Sequence, residues 1–122
     1  MGTDLLPEDA ARIRALATEV LELYETRDCM RAYVEARMAA LAPNYTQIVG
    51  AVVGARLLAK AGSLLKLAKA PASTIQILGA EATLFKARKM HAKTPKFGFL
   101  YNCERVAGAA VRDKGRVARL VA

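Results

Sequence analysis

The sequence predicts an all-helical protein. Three observations carry that expectation: the chain is rich in alanine, leucine and arginine, it has no tryptophan and few other aromatics, and only four prolines interrupt it. With 122 residues it is about one domain long, enough to bury most of the surface its unfolded form exposes, so a single core is expected.

The first element is a long helix. Apolar residues recur at Ile13, Leu16, Val20, Leu23, Met30, Val34, Met38 and Leu41 in steps of three and four once Arg27 is counted as a polar interruption. That heptad-like seam predicts one helix from about Glu8 to Leu41, begun by Pro7 with Glu8 and Asp9 in its first turn and stopped near Ala42-Pro43-Asn44. At 1.5 Å per residue it runs roughly 50 Å, more than a small domain's diameter, so part of it is expected to protrude and to need a partner along its seam. Asn44 or Thr46 then caps a second helix reaching about Ala61, whose Gly50 and Gly54 let another helix approach closely; no Gly-Lys-Ser or Gly-Lys-Thr follows to make them a phosphate loop. Gly62 ends it, and Ser63 to Lys69 forms a short helix.

Pro71-Ala72-Ser73 breaks the chain again. Ser73 or Thr74 is expected to cap a helix to Lys89 that buries Ile75, Leu78, Ala82 and Phe85 and turns Lys86 and Arg88 outward. His91 to Gly98 has Pro, Gly and two lysines without periodicity and reads as a basic loop. A short extended or turn segment at Phe99 to Asn102 leads to a helix from Cys103 to Ala110, and Asp113 or Lys114 opens a last helix to Ala122.

Charge is split along the chain. Five basic and eight acidic residues lie before Leu41, whereas fourteen basic residues and only Glu81, Glu104 and Asp113 follow, so the net +8 arises from an acidic start and a strongly basic remainder. The basic part is suited to a polyanion, through salt-sensitive contacts to phosphates; a merely solvated basic surface is the plainer alternative.

Other classes find little support. Cys29 and Cys103 are far apart and outside CxxC spacing, which points to a reduced compartment with neither a disulfide framework nor a zinc site. The N-terminus carries acids where a signal peptide needs a basic flank, and Met1-Gly2 lacks the Ser or Thr at position six that favours myristoylation. The most apolar stretch, Ile48 to Leu58, contains Arg56 and is shorter than the roughly 20 residues of a membrane span. His91 is the sole histidine, and the acids of the basic part are scattered, so no catalysis, metal or cofactor is expected. Glu81 has two readings: it pairs with Arg88, Lys86 or another lysine, or it orients a basic side chain or meets a base amino group.

The strings APNYTQIVGAVVGARLLAKAGSLLKLAKAPASTIQILGAEATLF, KTPKFG and DKGRVARLVA, in that order, resemble the Nop domain shared by box C/D RNP scaffold proteins and a spliceosomal relative. GAE followed by LF and TPKFG resembles the nucleolar and archaeal branch. The resemblance implies residues 1–41 as the end of a truncated coiled-coil helix and residues 42–122 as a compact helical Nop domain, clipped at its C-terminal end. It implies a non-enzymatic module that binds a kink-turn box C/D guide RNA together with its small kink-turn-binding protein, in support of RNA-guided ribose 2′-O-methylation of rRNA. In the whole protein it further implies a second scaffold copy or paralogue bound through the coiled coil and a methyltransferase bound through an absent N-terminal domain, with no membrane partner. Location follows the source: the nucleolus if eukaryotic, the cytoplasm if archaeal.

By position, the resemblance places Lys69, Ser73, Thr74 and Gln76 where the family's helix start faces RNA, a geometry suited to phosphate. Gly79, Ala80 and Glu81 continue that surface, and Lys93, Thr94, Pro95 and Lys96 match the loop that touches the RNA stem. The family usually follows GAE with lysine; here Ala82 stands instead, and Lys86 or Arg88 is the available replacement. Two alternatives to this reading are small nuclear RNP assembly, as for the spliceosomal relative, and a helical protein adaptor without RNA binding.

Overall fold

The computed structural model describes residues 6–122, and the regular structure among them is all helical, as the sequence predicts. The reading of Met1-Gly2 lies outside the described residues. The chain divides into two compact units, Met1–Tyr33 and Val34–Ala122, with the boundary inside the first helix.

That helix, α1 (Pro7–Leu41), begins as expected, with Pro7 at its start and Glu8 and Asp9 set against the partial positive charge of its N-terminal amides. In the first unit the seam residues Ile13, Leu16, Val20, Leu23 and Met30 are exposed. Several polar contacts there are local. Thr18 and Thr26 donate to the carbonyls one turn back, Arg14 and Glu22, at 3.0 and 2.9 Å, and Arg27 pairs with Asp28 at 2.9 Å while lying 4.7 Å from the Tyr24 ring centroid.

In the second unit Met38 is buried, and α2 (Pro43–Val49) starts on Pro43. Neither Asn44 nor Thr46 caps it. Ala42 holds that place, and the Thr46 hydroxyl instead bonds back to the carbonyls of Ala42 and Met38, at 2.8 and 3.1 Å. The single helix expected to reach Ala61 is divided at Gly50, whose φ of 84° and ψ of 151° stop α2 and start α3 (Ala51–Ala61). Nothing lies near enough to crowd a side chain there, so the glycine serves the backbone angle. Gly54 does permit the expected close approach, since a Cβ would come within 2.9 Å of the Tyr45 ring and 3.2 Å of the Met38 methyl. The Tyr45 hydroxyl donates to the Gly54 carbonyl at 3.3 Å, and burial pushes its pKa up to about 12.

The short helix α4 (Leu64–Lys69) is capped by the Ser63 hydroxyl, which accepts the Lys66 N–H at 3.1 Å. Next comes α5 (Ala72–Ile77), capped by Pro71, with Ser73 and Thr74 inside the helix instead of in front of it. It ends at Leu78, and Gly79, at φ 89°, turns the chain into α6 (Glu81–Lys89). A Cβ on Gly79 would sit 2.6 Å from the Phe99 ring. This turn overrides the continuous helix read from the sequence and resets the face beyond it. Ile75 and Leu78 pack on the core as expected, whereas Ala82 and Phe85 are exposed and Ala87 is the buried residue of α6.

A 3-10 turn at Phe99–Asn102 precedes α7 (Glu104–Ala107), shorter than the expected span to Ala110, and α8 (Lys114–Val121). One core cluster joins Val49, Val53, Leu57, Leu67 and Leu100; a second joins Cys103, Val106 and Ala118, and Val121 packs against both. Leu57, Leu100, Val106 and Cys103 are the largest fully buried side chains, so three of the four come from the 3-10 turn, α7 and the residue that joins them. No helix among the described residues is long and apolar enough to cross a membrane.

Candidate nucleic-acid interface

The basic loop after α6 returns to the core beside α5. His91 takes the left-handed conformation at φ 50° as α6 ends, and the chain then runs through Lys93, Thr94 and Pro95 to Lys96. Two backbone bonds fix its far end: Gly98 N–H donates to the Gln76 carbonyl and Phe99 N–H to the Leu78 carbonyl, both at 2.8 Å. The approach is so close that a Cβ at Gly98 would collide with the Leu78 carbonyl.

The Gln76 side chain adds a second tie. Its amide nitrogen donates to the Lys96 carbonyl at 2.5 Å and to the Gly115 carbonyl at 3.0 Å, joining the loop to α8. Lys96 lies with its stem along Gly115, where a Cβ would meet Lys96 Cδ at 3.1 Å and Cβ at 3.2 Å.

Around this junction lies an open basin of about 1120 Å³ whose charged lining is Lys96, Arg112, Arg116 and Arg119, with Asp113 as its one acid. Asp113 is engaged by Arg112 at 3.4 Å, while Arg116 and Arg119 stand exposed. The lining holds no aromatic ring on which a base could stack. Guanidinium forks in such a setting suit phosphate oxygens, which they can meet through two parallel N–H donors.

Of the residues singled out from the sequence, Gln76 and Lys96 meet directly, and both line the basin. Gln76 sits near the end of α5 rather than at its start, and its amide nitrogen is already occupied by two carbonyls. Gly79 and Ala80 form the turn before α6, with Ala80 as that helix's N-cap. Pro95 is half-buried beside Lys96. Lys69, Ser73, Thr74, Lys86, Lys93 and Thr94 are exposed, on α4, α5, α6 and the loop.

Glu81 is the first residue of α6, and its carboxylate lies 3.6 Å from Lys60 Nζ. Hydrogen bonds from the backbone N–H groups of Glu81 and Gly79 hold the carboxyl below its ordinary pKa, with a smaller contribution from Lys60. Its partner is therefore a lysine of α3, not Lys86 or Arg88, and the contact secures the Gly79 turn.

Arg112, Arg116 and Arg119 were not among the candidate residues. The signal was present in the spacing of 112, 115, 116 and 119, which falls on one side of a helical turn with glycine at the position where Lys96 crosses.

A family model described as Nop, snoRNA binding domain, fibrillarin, matches residues 1–122. The chain is 52% identical over 122 residues to nucleolar protein 58 of Candida glabrata and 51% identical to nucleolar protein 58 of Saccharomyces cerevisiae, covering 100% of this chain in each case. It spans 24% of the length of either relative. Among solved structures it is similar to a chain of a fibrillarin/Nop5p complex, at 30% identity and a TM-score of 0.64, over 93% of this chain and 46% of that one.

Proposed function

The chain belongs to the Nop family, and on that premise we propose that it is the non-enzymatic RNA-binding module of a box C/D RNP scaffold. In this reading residues 42–122 bind a kink-turn guide RNA already carrying its small kink-turn-binding protein, and residues up to 41 are the end of a coiled coil that pairs with a second scaffold copy or paralogue. The assembly serves ribose 2′-O-methylation of rRNA in the nucleolus, with the methyltransferase held by another part of the scaffold.

The basin of Lys96, Arg112, Arg116 and Arg119 carries the proposal, because it gathers cations from two distant stretches of chain onto one rigid junction. Relatives named as nucleolar proteins and a solved neighbour bound to fibrillarin support the assembly and its location. Lys93 and Thr94, exposed on the same loop, extend the face toward an RNA stem, and the half-buried Pro95 stiffens the path between them and Lys96.

A gel-shift titration on kink-turn RNA, with and without the kink-turn-binding protein, tests this. Binding is expected on the preformed complex, with weak binding to RNA alone, and Lys93→Ala combined with Lys96→Ala should weaken it about tenfold or more, as the removal of two phosphate-facing charges implies. Absence of binding to both RNA and complex would leave a helical protein adaptor.

A further inference from the structure

The geometry points to Gln76 as a positioning residue that sets Lys96 for phosphate contact, without touching the nucleic acid through its amide nitrogen. The inference rests on the proposed RNA-binding role of the basin and deepens it. Gln76 grips the Lys96 segment from both sides: its backbone carbonyl accepts from Gly98, and its side-chain nitrogen donates to the carbonyls of Lys96 and Gly115. Two carbonyls facing one nitrogen need a group with two N–H donors at the end of a side chain long enough to reach across, which a glutamine amide supplies.

The consequence falls on Lys96. Its backbone is held by Gln76 while its stem is laid along the bare backbone of Gly115, so the same bond that fixes the loop also fixes the distance between Lys96 and α8. A lysine at a loop end otherwise samples many rotamers and loses that freedom on binding. Holding its carbonyl and stem in the free protein removes part of that cost and keeps Lys96 at the basin that Arg116 and Arg119 also line.

Two substitutions remove this arrangement without removing a charge. Gln76→Met keeps length and volume but has no donor, and Gly115→Ala sets a methyl against the Lys96 stem while favouring the helix it belongs to. The full chain is titrated with a kink-turn box C/D RNA bound to its kink-turn-binding protein across a range of salt concentrations, beside Lys96→Ala and each double variant.

Gln76→Met is expected to weaken binding about tenfold and to lower the salt slope by about 0.9, the value of one neutralised phosphate, although every cation remains. Gly115→Ala should act in the same direction. In the Lys96→Ala background both are expected to fall within about twofold of Lys96→Ala alone, as coupled residues should.

An equal loss in both backgrounds would overturn the inference, because Gln76 would then meet RNA itself or merely support the fold. Wild-type slope in both single variants, with Lys96→Ala still impaired, would overturn it while sparing the RNA-binding reading, as would an unimpaired Lys96→Ala; no binding by the wild-type chain to RNA or complex would overturn both. Helical content by circular dichroism accompanies each variant, and Gly115→Ala decides the matter alone where Gln76→Met does not fold.

Discussion

Between Pro7 and Tyr33 one unbroken helix exposes its large apolar side chains, whereas from Val34 onward seven shorter helices and a 3-10 turn enclose Leu57, Leu100, Cys103 and Val106. The first stretch has contacts within one turn, such as Thr18 to Arg14 and Arg27 to Asp28. The second draws its order from packing and from long-range ties such as Gln76 to Lys96 and Gly115. Charge follows the same division, with the acids concentrated before Leu41 and the lysines and arginines after it.

The sharpest contrast is expected in stability. Leu57→Ala, at a fully buried position, should destabilise the chain by about 2–5 kcal/mol, whereas Leu16→Ala on the exposed seam should change it by about 0.5 kcal/mol or less in the isolated chain. Urea unfolding followed by circular dichroism compares them, and similar losses would break the division.

Glycine should have opposite value in the two regions. Gly79→Ala forces a side chain into a left-handed turn and against the Phe99 ring and should cost about 1–3 kcal/mol, while Ala17→Gly within α1 should cost about 1 kcal/mol through lower helix propensity. Thermal unfolding of the two variants reads both, and a Gly79→Ala protein as stable as wild type would remove the reason for the break between α5 and α6.

The smallest effect is expected at Glu81. Its carboxyl is held below the ordinary glutamate pKa by the backbone amides of Glu81 and Gly79, so its contribution is present above the unfolded value of 4.5 and is lost as pH falls through the lowered folded value. A carboxyl NMR titration should place its midpoint below 4.5, and Glu81→Gln should flatten the stability profile in that acid range. A midpoint at or above 4.5 would contradict the turn geometry.

Much of this was legible in the sequence because it depends on local pattern. The long first helix follows from Pro7, two acids and a seam in steps of three and four, and the charge division needs only counting. The breaks at Gly50 and Gly79 were missed because apolar periodicity carries on across a turn that only backbone angles reveal, and with the second break went the facing of Ala82 and Phe85. The basin escaped for a different reason: Lys96 and Arg116 are twenty residues apart, and they line one basin only after the chain folds back, with Gln76 bonded to the Lys96 and Gly115 carbonyls. Lys96 itself was found through a family pattern, which records the outcome of folding without its cause.

The central claim is that the basic face of the second unit, and not charge in general, holds the RNA. It is tested most directly by removing three arginines from each region, Arg112, Arg116 and Arg119 in one variant and Arg12, Arg14 and Arg27 in another, all to alanine. Each is titrated against a preformed kink-turn RNP across a range of salt concentrations. The account predicts that the first variant lowers the salt slope by about 0.9 for every phosphate it no longer neutralises and weakens binding steeply, while the second binds as wild type does. Equal losses in the two variants, or none in the first, would contradict it.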